Sequence, residues 1–259
     1  MKIHTLFAAC ALALAQPAGA APLAHVLNTN MTIDLVNVAS NNSVPVGTTS
    51  FLSDSLAMSS AGQLYSADNA GNLWDVSGAP IPVGPTGRTQ IGDLDYAGNG
   101  LWGYSNASSE LFFFDFGTSA VSYAQTLTLP GGLSVTGVAH EAASGDVFLS
   151  ARNGLNNDFL LRVPAFTATV IPIGAMAIGD AFSYISDIDF DASGTLYAMT
   201  WFHRWFYTVS PTTAATAFVS SGPHRDTTAL ALNPVPEPAE WALLAAGLAL
   251  VGWRTRRRG

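Results

Sequence analysis

Cysteine is almost absent: the one copy in 259 residues is Cys10, inside an N-terminal apolar run. The body of the chain therefore has no disulfide staples and must fold on packing alone, and it offers no thiol nucleophile and no thiolate metal site. Cys10 does not read as a lipoprotein acceptor, because it sits within the apolar run with Phe7 where such sites favour Leu. Lysine is equally scarce, with Lys2 its single occurrence. Residues 21–234 carry five basic side chains (Arg88, Arg152, Arg162, Arg204 and Arg225) against sixteen acidic ones. Such a surface repels polyphosphate and anionic headgroups, which excludes nucleic acid as a partner.

The usual catalytic signatures are missing as well. There is no phosphate-cradling G-x-x-x-x-G-K loop and no H-E-x-x-H pair. The nucleophile elbow G-x-S-x-G is absent too, and residues 132–137, GLSVTG, miss it by one position. His140, His203 and His224 are too scattered for a zinc site. No metal, no cofactor and no catalytic residue set is expected from these patterns. Amphipathic helical runs are also lacking in the body.

What is present is clearest at the two ends. Lys2 supplies a positive start, residues 6–15 form an unbroken apolar run, and Ala18-Gly19-Ala20 places small residues before a cleavage point after Ala20. This is the pattern of a signal peptide, too short to span a bilayer of about 30 Å. At the other end, Val235-Pro236-Glu237-Pro238 is followed by an apolar stretch over 239–253 with Trp241 and Trp253 at its edges. Arg254, Arg256, Arg257 and Arg258 then close the chain. The prolines stop any preceding strand, and the arginines orient a short transmembrane helix with its basic end inside and the body outside. The helix is short for a span and would need a thinned bilayer.

The order Pro-Glu-Pro, apolar helix, terminal arginines resembles the PEP-CTERM sorting signal of Gram-negative bacteria. The resemblance covers about the last 25 residues, as such targeting signals do. It implies recognition by an exosortase-type membrane protease, removal of the helix, and delivery from the inner membrane to the cell surface or beyond it, often beside exopolysaccharide. The chain then divides into a signal peptide (1–20), an extracellular body (21–234) and a sorting segment (235–259).

The body contains a repeat. Residues 187–198, DIDFDASGTLYA, have relatives at 93–103, 55–66 and 137–149. Each unit joins an alternating strand to a glycine turn and an aliphatic-aromatic pair. Third strands follow at 73–76, 111–116, 159–163 and 205–209. The anchors Leu64, Leu101, Val147 and Leu196 are 37, 46 and 49 residues apart, near the ~40–50 of propeller blades. Residues 228–233, TALALN, match a first strand with nothing after it, whereas 25–27, 31–38 and 44–48 match the later strands with no first strand. Joining them predicts an all-β, five-bladed β-propeller closed by strands from both termini, which removes the exposed sheet edges. No WD signature is present, and the body resembles no named propeller family.

Three residue groups qualify as candidate sites. Asp187, Asp189 and Asp191 alternate, so on a strand they share one face and could offer oxygen ligands to Ca²⁺. Gly194 is misplaced for an EF-hand loop, and solvated, turn-forming aspartates account for the same pattern. Asp93, Glu141 and Asp187 hold related positions in successive repeats and could converge at the propeller mouth as a glycosidase pair. Finally, residues 197–207 form the densest aromatic stretch. Trp201, His203 and Arg204 in its hairpin are expected to contact a sugar or protein ligand, with Trp205 and Tyr207 packing on one face. Together these features favour a non-enzymatic surface or matrix protein that binds extracellular polysaccharide or another surface protein. The alternative is a secreted glycan hydrolase or lyase with carboxylates at the mouth.

Overall fold

The computed structural model describes residues 22–154, 157–179, 183–222 and 226–232. The signal peptide and the sorting segment lie outside the described residues. Within them no helix is long and apolar enough to cross a membrane.

The described residues form twenty strands, numbered in order, and one 3-10 turn at Pro130–Gly132. The first three are β1 (Leu23–Asn28), β2 (Thr32–Asn37) and β3 (Ser43–Thr48). Four-stranded units follow: β4 (Ala57–Met58), β5 (Leu64–Ala67), β6 (Asn72–Asp75) and β7 (Ile81–Pro85); then β8 (Ile91–Tyr96), β9 (Gly100–Ser105), β10 (Glu110–Asp115) and β11 (Ala120–Thr126). Next come β12 (Ser134–His140), β13 (Val147–Arg152), β14 (Asp158–Val163) and β15 (Ile171–Met176), and β16 (Ile185–Phe190), β17 (Leu196–Thr200), β18 (Phe206–Val209) and β19 (Thr216–Ser220). The last strand is β20 (Thr227–Leu232). It pairs antiparallel with β1, so the first sheet reads β20-β1-β2-β3 and the other four are consecutive meanders. This is a five-bladed β-propeller closed by both termini, as the truncated repeats at the two ends predict.

The core is not central. It consists of five apolar clusters, each sandwiched between neighbouring blades. One joins Trp102, Tyr104 and Phe113 of the third blade to Val138, Leu149 and Leu161 of the fourth. Another joins Val26, Val36 and Leu230 of the first to Met199 and Phe206 of the fifth. A blade therefore buries both of its faces. This explains why inner strands such as β9 and β5 are buried at every residue rather than at alternate ones. The outer strands β3, β7 and β11 are largely exposed.

β4 is shorter than its repeat suggests. Serine hydroxyls take over the pairing: Ala67 N–H donates to Ser55 Oγ at 3.1 Å, and Ser66 Oγ–H donates to the Ser55 carbonyl at 2.8 Å. Side chains thus satisfy backbone groups that a longer ladder would have paired.

The innermost strands β20, β4, β8, β12 and β16 surround the axis. Asp95, Ala139, Asp189, Ala231 and Ala57 share one register position, opposite Trp102, Phe148, Tyr197, His25 and Tyr65 of the second strands. Two residues earlier stand Asp93, Gly137, Asp187 and Ala229, so aspartate and small residues alternate around the third, fourth, fifth and first blades. The small residues make room for the aspartates. A Cβ at Gly137 would lie 2.7 Å from Asp187 Oδ1 and 2.7 Å from the Ile188 nitrogen. Gly137→Ala is therefore expected to cost about 1–3 kcal/mol through overpacking, read as a lowered midpoint in urea unfolding.

Candidate functional site

The two carboxylate groupings and the aromatic hairpin come out differently from one another. Asp187 and Asp189 do share a face of β16, but they are buried, not solvated. Their partners lie on the next blade: Leu230 N–H donates to Asp187 Oδ2 at 2.6 Å and Leu232 N–H to Asp189 Oδ2 at 2.7 Å. Asp93 and Asp95 of β8 do the same to the fourth blade, accepting from Val138 N–H at 2.6 Å and His140 N–H at 2.5 Å. Asp191 lies past the end of the strand. Its Oδ1 caps the turn, accepting from Ser193 N–H at 2.9 Å and Thr195 N–H at 2.8 Å. The three aspartates weighed as possible calcium ligands are thus split between the strand and the turn, and no group of three or more such side chains that could hold a metal occurs among the described residues.

Asp93 and Asp187 do converge, close enough for each carboxyl to act on the other, although Asp93 Oδ1 has no well-formed hydrogen bond. Burial holds both carboxyls, and that of Asp189, well above the ordinary carboxylate range, and it pushes Asp95 up to about 7. Desolvation is the main cause, and the nearness of Asp93 to Asp187 and of Asp95 to Asp189 adds to it for Asp187 and Asp189. Glu141 is not brought to them. It lies in the β12–β13 turn, where Oε2 accepts from Ser144 Oγ at 2.6 Å. The three therefore share no open cavity in which a sugar could sit between them, and Asp93 and Asp187 act as cross-links between blades.

The aromatic hairpin lies elsewhere. In a four-stranded meander, the connection from second to third strand and the crossover to the next blade emerge at the same end. That end carries the 201–205 hairpin between β17 and β18, the strand ends at Arg152 and Asp158, and the crossovers holding Asp54, Tyr184 and Asp226. Here the rings form a continuous shelf. Tyr184 stacks on Trp201 with centroids 5.5 Å apart and planes at 11°. Trp201 meets Phe202 at 5.9 Å, Phe202 meets His203 at 4.8 Å, and His203 stacks on Trp205 at 5.3 Å. These side chains are half-buried, each with an edge left to solvent. Backbone bonds fix the shelf: Trp201 N–H donates to the Tyr184 carbonyl at 2.9 Å, and Phe202 N–H donates to Ser183 Oγ at 3.0 Å. Trp205 also meets Phe218 at 5.8 Å and Tyr207 meets Phe218 at 5.6 Å, which places Trp205 and Tyr207 on one face as expected.

Arg204 departs from expectation. It is fully buried and cannot touch a ligand. Its Nε donates to Asn41 Oδ1 at 2.9 Å, Nη2 donates to the Asn41 carbonyl at 3.2 Å, and Nη1 pairs with Asp34 Oδ2 at 3.3 Å. A backbone φ of 48° turns it inward from the hairpin. It fastens the fifth blade to the first while Trp201 and His203 face outward.

At the inner end of the shelf lies a polar group that no local motif announces. The Arg152 guanidinium carbon is 3.8 Å from the Tyr184 ring centroid. Asp54, Asp158 and Asp226 all act electrostatically on the Tyr184 phenol, together with Arg152, and burial raises that phenol's pKa. Asp158 is buried, and neither of its carboxyl oxygens has a well-formed hydrogen bond. Desolvation pushes it up to about 7, opposed by the nearby Ile185 N–H and by Arg152. Partial desolvation also raises Asp54, though its surface is exposed. These residues come from four separate connections, so no spacing in the chain could have grouped them. His140 lies apart, in an interblade cleft with Trp102 and Phe166 that is 360 Å³ in volume, and burial lowers its pKa. His224 falls outside the described residues.

No family model matches the chain, and no curated protein does. Solved structures share its architecture. A chain of the nidogen–laminin complex superposes with a TM-score of 0.58 at 9% identity, covering 82% of this chain and 99% of that one. A Bacteroides caccae protein of unknown function gives 0.52 at 10% identity, over 82% and 99% of the two chains. A protein named as a candidate gluconolactonase gives 0.51 at 13% identity, over 82% and 85%. At such identities the likeness is one of fold, and this chain is a β-propeller similar to all three.

Proposed function

We propose that the protein is an exported, non-enzymatic cell-surface or matrix component whose propeller binds exopolysaccharide or another surface protein through the face bearing residues 201–205. The observation that supports this reading is the aromatic shelf from Tyr184 to Trp205, with solvent-facing edges and carboxylates at its inner end. Flat rings beside hydrogen-bonding carboxylates suit the apolar faces and hydroxyls of sugars. The aspartates of the innermost strands are buried and bonded to neighbouring blades, so the ligand is placed on the face.

Export rests on the N-terminal segment ending at Ala20, cut by a signal peptidase. Sorting rests on the resemblance around Pro236-Glu237-Pro238, with the helix over 239–253 holding the precursor in the inner membrane until an exosortase-type protease acts. Because β20 ends at Leu232, removal of the tail after the Pro-Glu-Pro motif would leave the closing strand in place. Mass spectrometry of the protein from its own envelope is expected to find no Arg258-Gly259 terminus; an intact terminus would refute processing. Binding is tested by retention of the purified protein on matrix polysaccharide and envelope extracts. Trp201→Ala is expected to weaken retention by about tenfold, as loss of an aromatic anchor does, and hydrolysis of glycan without retention would overturn the proposal.

A further inference from the structure

We infer that the polar group at the inner end of the shelf is a subsite for a protonated amine, so that the ligand class is a polysaccharide bearing free amino sugars. This rests on the reading of the shelf as a binding face. The geometry that carries it is the position of Asp158. It is the direct cross-strand partner of Arg152, so the two side chains leave blade four on the same side, toward Tyr184. Arg152 is drawn over the Tyr184 ring at 3.8 Å, and it acts on Asp158 by charge without hydrogen-bonding either oxygen. Asp158 is left 2% exposed, with neither oxygen holding a well-formed hydrogen bond. Ile185 N–H lies near it, but a buried carboxyl without well-formed hydrogen bonds is costly unless further donors are supplied.

An ammonium group supplies both the donors and the charge. Among the described residues, Asp54 and Asp226 join Asp158 around Tyr184, three carboxyls against one guanidinium, and Asp226 Oδ1 is a third buried oxygen without a well-formed hydrogen bond. The shelf leads directly from this group through Trp201 to Phe202 and His203, so sugars flanking the amine would lie along rings. Burial holds Asp158 near neutrality, and an incoming cation would offset that desolvation. The body's excess of sixteen acidic over five basic residues argues the same way, since it repels a uronic or sulfated polymer and attracts a cationic one.

The experiment is calorimetric titration of the purified full chain at low salt with fully deacetylated glucosamine oligomers, their N-acetylated counterparts, and neutral glucose oligomers. The amine form is expected to bind about tenfold tighter or more than the acetylated form. Asp158→Asn is expected to abolish that preference, and Asp226→Asn, nearer the surface, to reduce it several-fold. The preference should also shrink as salt is raised. Equal affinity for amine and acetylated forms would overturn the amine subsite while leaving glycan binding by the shelf intact. A preference unchanged in both variants would overturn the assignment to Asp158 and its neighbours. Failure to bind any of the oligomers, with retention on envelope protein, would overturn the ligand class.

Discussion

Replacing Arg204 with alanine is expected to lower the stability of the propeller by about 3–5 kcal/mol, as breaking a buried ion pair does. At roughly 2–4 °C per kcal/mol for a domain of this size, the melting midpoint should fall by about 10 °C. The cause is what is left behind. Asp34 is 1% exposed, and without the guanidinium it becomes a buried charge lacking its cation. Asn41 loses two of its contacts in the same step. The seam is where the ring closes, between the blade made last and the blade shared by both termini. Ser220 Oγ bonds the Val38 carbonyl there, and Thr227 Oγ1 donates to the Thr200 carbonyl at 3.0 Å. Arg204→Lys should rescue little, because an ammonium cannot reproduce the fork that reaches Asp34, Asn41 and Ser43 at once. Removing both charges, as Asp34→Leu with Arg204→Met, should recover most of the loss. Differential scanning calorimetry decides it: a loss below about 1 kcal/mol for Arg204→Ala would mean the pair behaves like a surface salt bridge and does not hold the seam.

The second large effect is a dependence on pH that runs opposite to ordinary acid denaturation. Asp93, Asp95, Asp187 and Asp189 have folded-state pKa values above those of an unfolded chain, because burial disfavours their charge. The folded state therefore binds more protons than the unfolded state once pH exceeds about 4. Their contribution is fully present below that pH and is lost as pH rises through the raised folded values, about 7 for Asp95. Each retained proton makes stability fall by on the order of 1.4 kcal/mol per pH unit. The protein should be markedly more resistant to urea at pH 5 than at pH 8. Asp93→Asn isolates the effect. Its amide oxygen can still accept from Val138 N–H, and a neutral amide beside Asp187 removes one buried carboxyl from the coupled group. The variant should match the parent near pH 4 and exceed it at pH 8. Asp93→Ala, which orphans the Val138 N–H, should be destabilised at both. An unchanged slope in Asp93→Asn would show that the pair does not set the dependence.

Both effects depend on residues whose chemistry the sequence displays but whose partners it does not. Asp93 and Asp95 are visible in one repeat, and Asp187 and Asp189 in another. Small residues stand at the matching positions elsewhere, and this reads locally as a loss of pattern. In the ring it is complementarity: Gly137 and Ala139 are small because the Asp187 carboxyl and the backbone bonds of Asp93 and Asp95 occupy that space. Arg204 sits among exposed aromatics in the chain, and only its positive φ and the arrival of Asn41 from another blade turn it into a buried fastener.

The chain by itself determined the blade count, the closure by two ends and the aromatic hairpin. Repeat length, glycine turns and incomplete terminal repeats are local properties, written at short range and preserved by folding. The tertiary structure alone decided which carboxyls meet, which become protonated and which remain at the surface. It also assembled Arg152, Asp158, Tyr184 and Asp226 at one end of the ring, and their separation in sequence is bridged by blade geometry rather than by spacing. Burial and charge interaction depend on distance through space, and in a closed ring the most distant segments, residues 23–28 and 227–232, are immediate neighbours.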